Sequence, residues 1–294
     1  VRSVLDLSAS QAIREHFIVG EFQDRDRRKL ATAINPLHAA MTPEVERQSA
    51  GSPLDRETHF RKFSADGQSW LRVRVRLGAV PVPLPMPRRM QARLVKVRPL
   101  TADMAEFIFA AEGPADFLPG QYTLAYLPGV TGARAWSMCN LPNAQGEWQF
   151  IVKRMPGGKG SAALFDQVGL QQSITLDGPY GHAHLNSTSR REMVCIAGGS
   201  GLGPMLSIVR GALAVDDGRK VHLFIGLRTQ ADLGALQAVQ ELQHPRLTLT
   251  TVLSAPTPIT PWDGATGFVH EAVERQLPGP LGDFDFYFAG PPPM

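Results

Sequence analysis

A glycine-rich run, Gly198-Gly199-Ser200-Gly201-Leu202-Gly203-Pro204, stands between Met193–Ala197, which reads as a strand, and Pro204–Val215, which reads as a helix. This junction constrains the chain more than any other feature. Glycines let a chain turn sharply and let backbone amides come close to an anion. Pro204 suits the first helical position, where its missing N–H has no partner to lose. The rhythm then repeats, with strand Val221–Gly226, helix Leu233–Gln243, strand Leu247–Leu253, helix Val269–Gln276 and strand Phe284–Ala289. Strands alternating with helices predict a parallel α/β sheet for residues 190–294. On its own the glycine run divides evenly between a dinucleotide site and a plain strand-to-helix turn.

Residues 89–189 read differently. Short β-like runs at Ala92–Val97, Ala105–Ala110, Tyr122–Tyr126, Ala133–Met138, Trp148–Lys153 and Ser173–Leu176 are separated by turns and by one helix at about Ser161–Val168. Six short strands at this spacing predict an antiparallel β-barrel. Before them, the alternating prolines of Val80-Pro81-Val82-Pro83-Leu84-Pro85-Met86-Pro87 favour a stiff extended path, so residues 79–88 read as a linker. Residues 1–78 are polar and irregular, with helical hints at Ser8–His16 and Asp26–Ala33 and an unassigned fold. They end in Leu71-Arg72-Val73-Arg74-Val75-Arg76-Leu77, whose strict alternation predicts a strand with its arginines on one face.

Composition narrows the function classes. A net charge of +3 over 294 residues gives no reason to expect nucleic acid, and the run Arg25, Arg27, Arg28, Lys29 reads as a solvated face. The two cysteines, Cys139 and Cys195, cannot form a disulfide framework or a four-cysteine metal centre, and they fit a reducing cytoplasm. No stretch is long and apolar enough to span a bilayer as a helix. The first residue is Val1 rather than Met, as in a processed or partial chain.

Several residues can carry chemistry. In Arg134-Ala135-Trp136-Ser137, period two puts Arg134 and Trp136 on one face and Ser137 on the other. A guanidinium can hold a diphosphate in two-pronged fashion, an indole can stack on a flat ring, and a hydroxyl can bond a ring nitrogen. Taken alone, a surface arginine beside a core tryptophan explains the run better. Gly158-Lys159-Gly160-Ser161 opens the lone helix of the barrel segment, where free amides can hold a phosphate or Ser161 can simply cap the helix. His182 and His184 read as a solvated strand and His270 as a helix start. Ser200 and Ser254 lack the strand–turn–helix context of a hydrolase nucleophile.

Taken together and in order, these runs resemble the ferredoxin–NADP⁺ reductase superfamily over residues 89–294. Within it, they look more like reductase components of bacterial ring-hydroxylating oxygenases, such as the carbazole and benzoate dioxygenase reductases. The resemblance is carried by Phe117–Tyr122, Arg134–Asn140, Gly158–Leu164, Gly178–Gly181, Gly198–Pro204, Trp262–Val269 and Ala289–Met294. It implies FAD in a six-stranded barrel, with Arg134 on the pyrophosphate, Trp136 against the flavin where the family usually has Tyr, and Ser137 near the flavin N5. Trp136 and Ser137 would then be the catalytic pair. Gly160 and Ser161 would hold the pyrophosphate through their amides, and Val152, Lys153 and Gly158 join the same cofactor-binding set. The nicotinamide cofactor would lie along Gly199, Ser200, Gly201, Leu202, Gly203 and Pro204, with Gly290 and Pro291 bordering the nicotinamide. Arg228 would stand near the 2′ position of the adenosine ribose.

The implied function is electron transfer from NADH, with NADPH as the alternative donor, through FAD to a separate ferredoxin or oxygenase component in aromatic-compound hydroxylation. Two alternatives stay open: a general NAD(P)H–flavin oxidoreductase, and a non-catalytic subunit that keeps the fold. Three departures stand out. Ala289 occupies a position where many relatives place Cys. The chain stops at Met294, so the nucleotide-binding unit is expected to lack a last helix and strand. Residues 1–70 occupy the place of a plant-type ferredoxin domain but contain no cysteine, so no iron–sulfur ligands are expected in this chain.

Overall fold

The computed structural model describes residues 85–215, 217–277 and 279–291, together with the backbone of three strands at residues 18–20, 55–62 and 69–76. Of these strands, β1 is Ile18–Gly20, β2 Asp55–Lys62 and β3 Ser69–Arg76. β2 and β3 pair antiparallel, so the alternating arginine run does lie in a strand up to Arg76. The helical hints at Ser8–His16 and Asp26–Ala33, the basic run Arg25–Lys29 and residues 80–84 of the proline run lie outside the described residues.

Six antiparallel strands follow. They are β4 (Arg88–Pro99), β5 (Met104–Ala111), β6 (Tyr122–Tyr126), β7 (Arg134–Ser137), β8 (Glu147–Lys153) and β9 (Ser173–Tyr180), in the order β7-β6-β9-β4-β5-β8. A bridge from Met138 to Phe150, with the Cys139 amide donating to the Gln149 carbonyl at 2.9 Å, joins the end of β7 to β8 and closes the sheet. Alternation decides which side chains fill it. In β4, Met90, Ala92 and Leu94 are buried while Arg89, Gln91 and Arg93 face out. Phe109 and Phe150 meet edge to face at 6.0 Å, and Phe117 packs on Trp148 at 5.5 Å. One helix, α1 (Lys159–Asp166), follows β8; it starts and ends two residues earlier than the sequence suggests.

The second sheet holds β10 (Glu192–Gly198), β11 (Val221–Leu227), β12 (Leu247–Leu253), β13 (Ala265–Thr266) and β14 (Phe284–Ala289) in the order β14-β10-β11-β12-β13. These five are parallel, and β1 adds antiparallel to the outer edge of β14. The strands are apolar almost throughout because helices cover both faces. Helix α2 (Leu202–Leu213) packs on Met193, Cys195 and Ala197, and α3 (Val269–Gln276) on Val194, Ile196 and Val252.

Three expectations are corrected. α2 begins at Leu202, so Pro204 is the third helical residue rather than the first; it still sits in the first turn, where its missing N–H has no intrahelical acceptor. The helix expected over Leu233–Gln243 is a 3₁₀ helix at Gln230–Ala238, opened early by a Thr229–Asp232 capping box. His182 and His184 lie in a loop rather than a strand.

Candidate functional site

β7 is short and lies at the end of the ladder order, so Arg134, Ala135 and Trp136 are half-buried rather than sealed. Trp136 leans on the Phe150 ring at 5.8 Å. Ser137 is buried opposite Tyr122 on β6. Next to Tyr122, at 6.0 Å, lies Tyr180, whose hydroxyl donates to Asp177 at 2.8 Å. Burial and that hydrogen bond push the Tyr180 pKa up to about 12, so it remains a neutral donor.

Arg134 folds back along its own loop. Its Nη1 donates to the Ala133 carbonyl at 3.0 Å and, at longer range, to the carbonyls of Thr131 and Gly132. Those partners are neutral, and among the described residues no carboxylate pairs with it. The side chain lies against Gly160 of α1: a β-carbon there would stand 2.7 Å from both Cγ and Nε of Arg134. α1 has no side-chain cap and no acid in its first turn. The Ser161 hydroxyl instead accepts from the Met155 amide at 3.0 Å and donates to the Gly158 carbonyl at 3.1 Å. A guanidinium and the uncapped positive end of a helix therefore converge, which is the charge arrangement a diphosphate needs.

The glycine turn makes a second such place. Gly199 adopts φ +54°, and the space its β-carbon would enter is open. Gly199–Gly201 forms a 3₁₀ turn that leads into α2, again with no side-chain cap and no acid in the first turn. Gly201 lies so close to the Ala289 carbonyl and the Gly290 amide that no β-carbon fits. The end of β14 is thus pressed against the turn, and Gly290 is buried there beside an exposed Pro291. A β-carbon on Gly203 would stand 3.7 Å from the Ser137 carbonyl, Cys139 Cβ and Ile151 Cβ. The turn of the parallel sheet and the Ser137 strand of the barrel therefore meet.

Other expected site residues are placed less directly. The Val152 side chain is buried in the barrel core, and its backbone is in register with Ala105 of β5. The Lys153 ammonium lies 3.2 Å from Asp103 and 3.8 Å from Asp232. Arg228 is exposed after β11, its carbonyl accepting from the Ala255 amide at 2.8 Å. His270 is the second residue of α3, buried and stacked on Phe268. Among the described residues no cluster of three His, Cys, Asp or Glu could hold a metal ion. Ser207 and Arg210, which tie α2 to the barrel, escaped sequence reasoning because each is a lone polar residue on a mostly apolar helix.

Known proteins share this arrangement. The oxidoreductase FAD-binding domain family matches residues 91–185, and the oxidoreductase NAD-binding domain family matches residues 195–294. The ferredoxin–NAD(P)⁺ reductase CarAd of Metapseudomonas resinovorans is 36% identical over 249 residues, covering 83% of this chain and 74% of that protein. The ferredoxin–NAD⁺ reductase component of the alkene monooxygenase system of Xanthobacter autotrophicus is 40% identical over 209 residues, covering 70% and 63%. Among solved structures, the ferredoxin reductase in carbazole 1,9a-dioxygenase superposes with a TM-score of 0.66 at 33% identity, covering 74% of this chain and 64% of that one. The chain thus spans under two thirds of the latter two.

Proposed function

Because this chain belongs to the ferredoxin–NAD(P)⁺ reductase family, an FAD-dependent group of NAD(P)H oxidoreductases, we propose that it takes electrons from NADH and delivers them to an iron–sulfur protein. The acceptor would be a separate ferredoxin or oxygenase component, in the oxidation of aromatic or related compounds. Relatives named as reductase components of naphthalene dioxygenase and alkene monooxygenase systems support that class. We assign residues 89–189 to the FAD unit and residues 190–294 to the nicotinamide unit.

FAD, when bound, would supply the chemistry of taking an electron pair as hydride from a nicotinamide and passing electrons on one at a time. The chain's part is binding and orientation. Arg134, with the amides of Gly160 and Ser161, neutralises the pyrophosphate. Gly158 shapes the turn into that helix, and the Val152 and Lys153 backbone flanks the ligand. Trp136 and Ser137 define the face against which the flavin lies. The amides of Gly199, Ser200 and Gly201 and the start of α2 at Leu202, Gly203 and Pro204 receive the second pyrophosphate, and Gly290 and Pro291 close on the nicotinamide. The observation that carries this reading is the packing of Gly203 on the Ser137 strand, which brings the start of α2 against the same strand that carries Arg134.

The test is an anaerobic titration of FAD-loaded protein with NADH and with NADPH, with iron measured on the same sample. Bleaching of the flavin absorbance by NADH at lower concentration than NADPH, without iron, is expected. Protein that stays colourless with added FAD would end the flavin reading. A lower KM for NADPH, raised selectively by Arg228→Ala, would overturn the donor assignment.

A further inference from the structure

Resting on that reading, a second question is what holds the two cofactor cradles at working distance. α2 presents Gly203, Ser207 and Arg210 at spacings of four and three, so they line one face of the helix. All three touch the barrel. Gly203 gives close approach to Ser137, Cys139 and Ile151. One turn on, the Ser207 hydroxyl donates to the Asn140 carbonyl at 2.7 Å. A further turn on, Arg210 Nη1 donates to the Cys139 carbonyl at 2.6 Å, and Nη2 reaches the Ala238 carbonyl at 3.4 Å.

The acceptors are themselves anchored. The Asn140 side chain donates to the Glu147 carbonyl at 2.8 Å and accepts from the Gln149 amide at 3.2 Å. The Cys139 amide donates to the Gln149 carbonyl, and its thiol to the buried Glu106 at 3.5 Å. The accepting carbonyls are thus fixed to β8 and β5 rather than to a free loop. Apolar packing would hold α2 here but would let it slide. Hydrogen bonds, buried at Ser207 and part-buried at Arg210, fix direction and length, and an acceptor left unpaired in such a place is costly. Cys139 is two residues beyond Ser137, and Gly203 is two residues beyond Gly201. The seam therefore sets the distance from the flavin face to the nicotinamide turn.

We propose that Ser207 and Arg210 are positioning residues for hydride transfer: they lock the register of α2 on the barrel so that the nicotinamide C4 lies against the flavin N5. Both side chains are committed to backbone carbonyls of the protein, and neither belongs to the residues assigned to a cofactor. Their removal leaves both cradles intact but lets them shift relative to each other, and an ångström of misplacement costs about 100-fold in rate.

The test uses the full chain loaded with FAD, as native protein and as Ser207→Ala, Arg210→Met and Arg210→Lys. Under anaerobic rapid mixing with NADH, the limiting rate of flavin reduction should fall about 10- to 100-fold in Arg210→Met and several-fold in Ser207→Ala, with partial recovery in Arg210→Lys. FAD content and the NADH Kd should stay within about two-fold of native, which splits positioning from binding. The long-wavelength charge-transfer absorbance of reduced flavin with NAD⁺ should weaken with the rate. In cofactor-free protein, amide hydrogen exchange should quicken at 138–141 and 199–206 while the rest of the barrel keeps its protection. Limiting rates within two-fold of native would overturn the proposal. So would a rate loss matched by equal losses of FAD, NADH affinity and Tm, unrecovered in Arg210→Lys. If Arg210→Met does not fold, Ser207→Ala decides by the same readouts. Failure of the underlying function would instead show in the native protein, as no FAD uptake or no reduction by either nucleotide.

Discussion

At Gly160 two preferences oppose each other. An alanine in a helix is favoured over glycine by about 1 kcal/mol. A β-carbon there would stand 2.7 Å from the Cγ and Nε of Arg134, so the guanidinium would have to leave its place. Gly160→Ala should therefore leave the unfolding free energy of the FAD-free protein within about 1 kcal/mol of native while weakening FAD binding by about ten-fold. Thermal melts beside a flavin-fluorescence titration separate the two, and unchanged FAD affinity would remove Arg134 from the pyrophosphate. The sequence singles out both residues only through their place in an ordered set of motifs; taken alone, Arg134 reads as a surface arginine, and Gly160 proves to lie inside α1 rather than before it. Arg210 was not legible. Its meaning comes from a carbonyl 71 residues away in the chain, and no local spacing announces that.

Elements were legible to the extent that packing follows local pattern. Phe284–Ala289 is largely buried on both faces, and β6 alternates inside and outside, so those bounds follow from the side chains alone. The segment after β11 was misread because a contact between elements shapes it: Gly234 sits directly on the Leu100 carbonyl of the barrel. The edge of the parallel sheet opposite the glycine turn holds a further device that sequence reading missed. Arg246, just before β12, donates to the Leu213 and Val215 carbonyls at the end of α2 and pairs with Asp217 at 3.2 Å. Arg219, just before β11, pairs with the same carboxylate at 2.6 Å. Burial acts to raise the Asp217 pKa, but hydrogen bonds from Arg219 and the charges of Arg219 and Arg246 outweigh it, so the pKa lies below the ordinary carboxylate value. A depressed carboxylate stabilises fully above its unfolded value, about 3.9, and that contribution fades as pH falls through the folded-state value. Asp217→Asn should cost about 3 kcal/mol at pH 7, because it leaves Arg219 without its carboxylate partner. Denaturant melts at falling pH should show the gap to native closing below about pH 4, and a gap independent of pH would refute the ionic origin.

At the scale of the whole molecule, the sequence separates two units but not their joint, since the residues that meet across it come from distant parts of the chain. The two cysteines report on that joint. Cys195 lies in β10, an inner strand of the parallel sheet, and Cys139 at the seam under α2; both are fully closed to solvent. Burial pushes both thiols up, helped at Cys139 by the nearby Glu106 carboxylate and opposed at Cys195 by the Arg219 charge. A thiol must be both exposed and deprotonated to attack a disulfide reagent, so each reacts only through opening of the structure around it. In native protein at pH 8, both should react with an aromatic disulfide at least about 100-fold more slowly than a free thiol. They should separate when the seam is loosened. In Arg210→Met, Cys139 loses the donor on its carbonyl and should become the faster thiol, while Cys195, held by strands on both sides, keeps its native rate until the sheet unfolds. Mass spectrometry of the labelled peptides distinguishes them. Equal acceleration at both positions would mean that the two units open as one cooperative body, and that the α2 seam is no weaker than the sheet it joins.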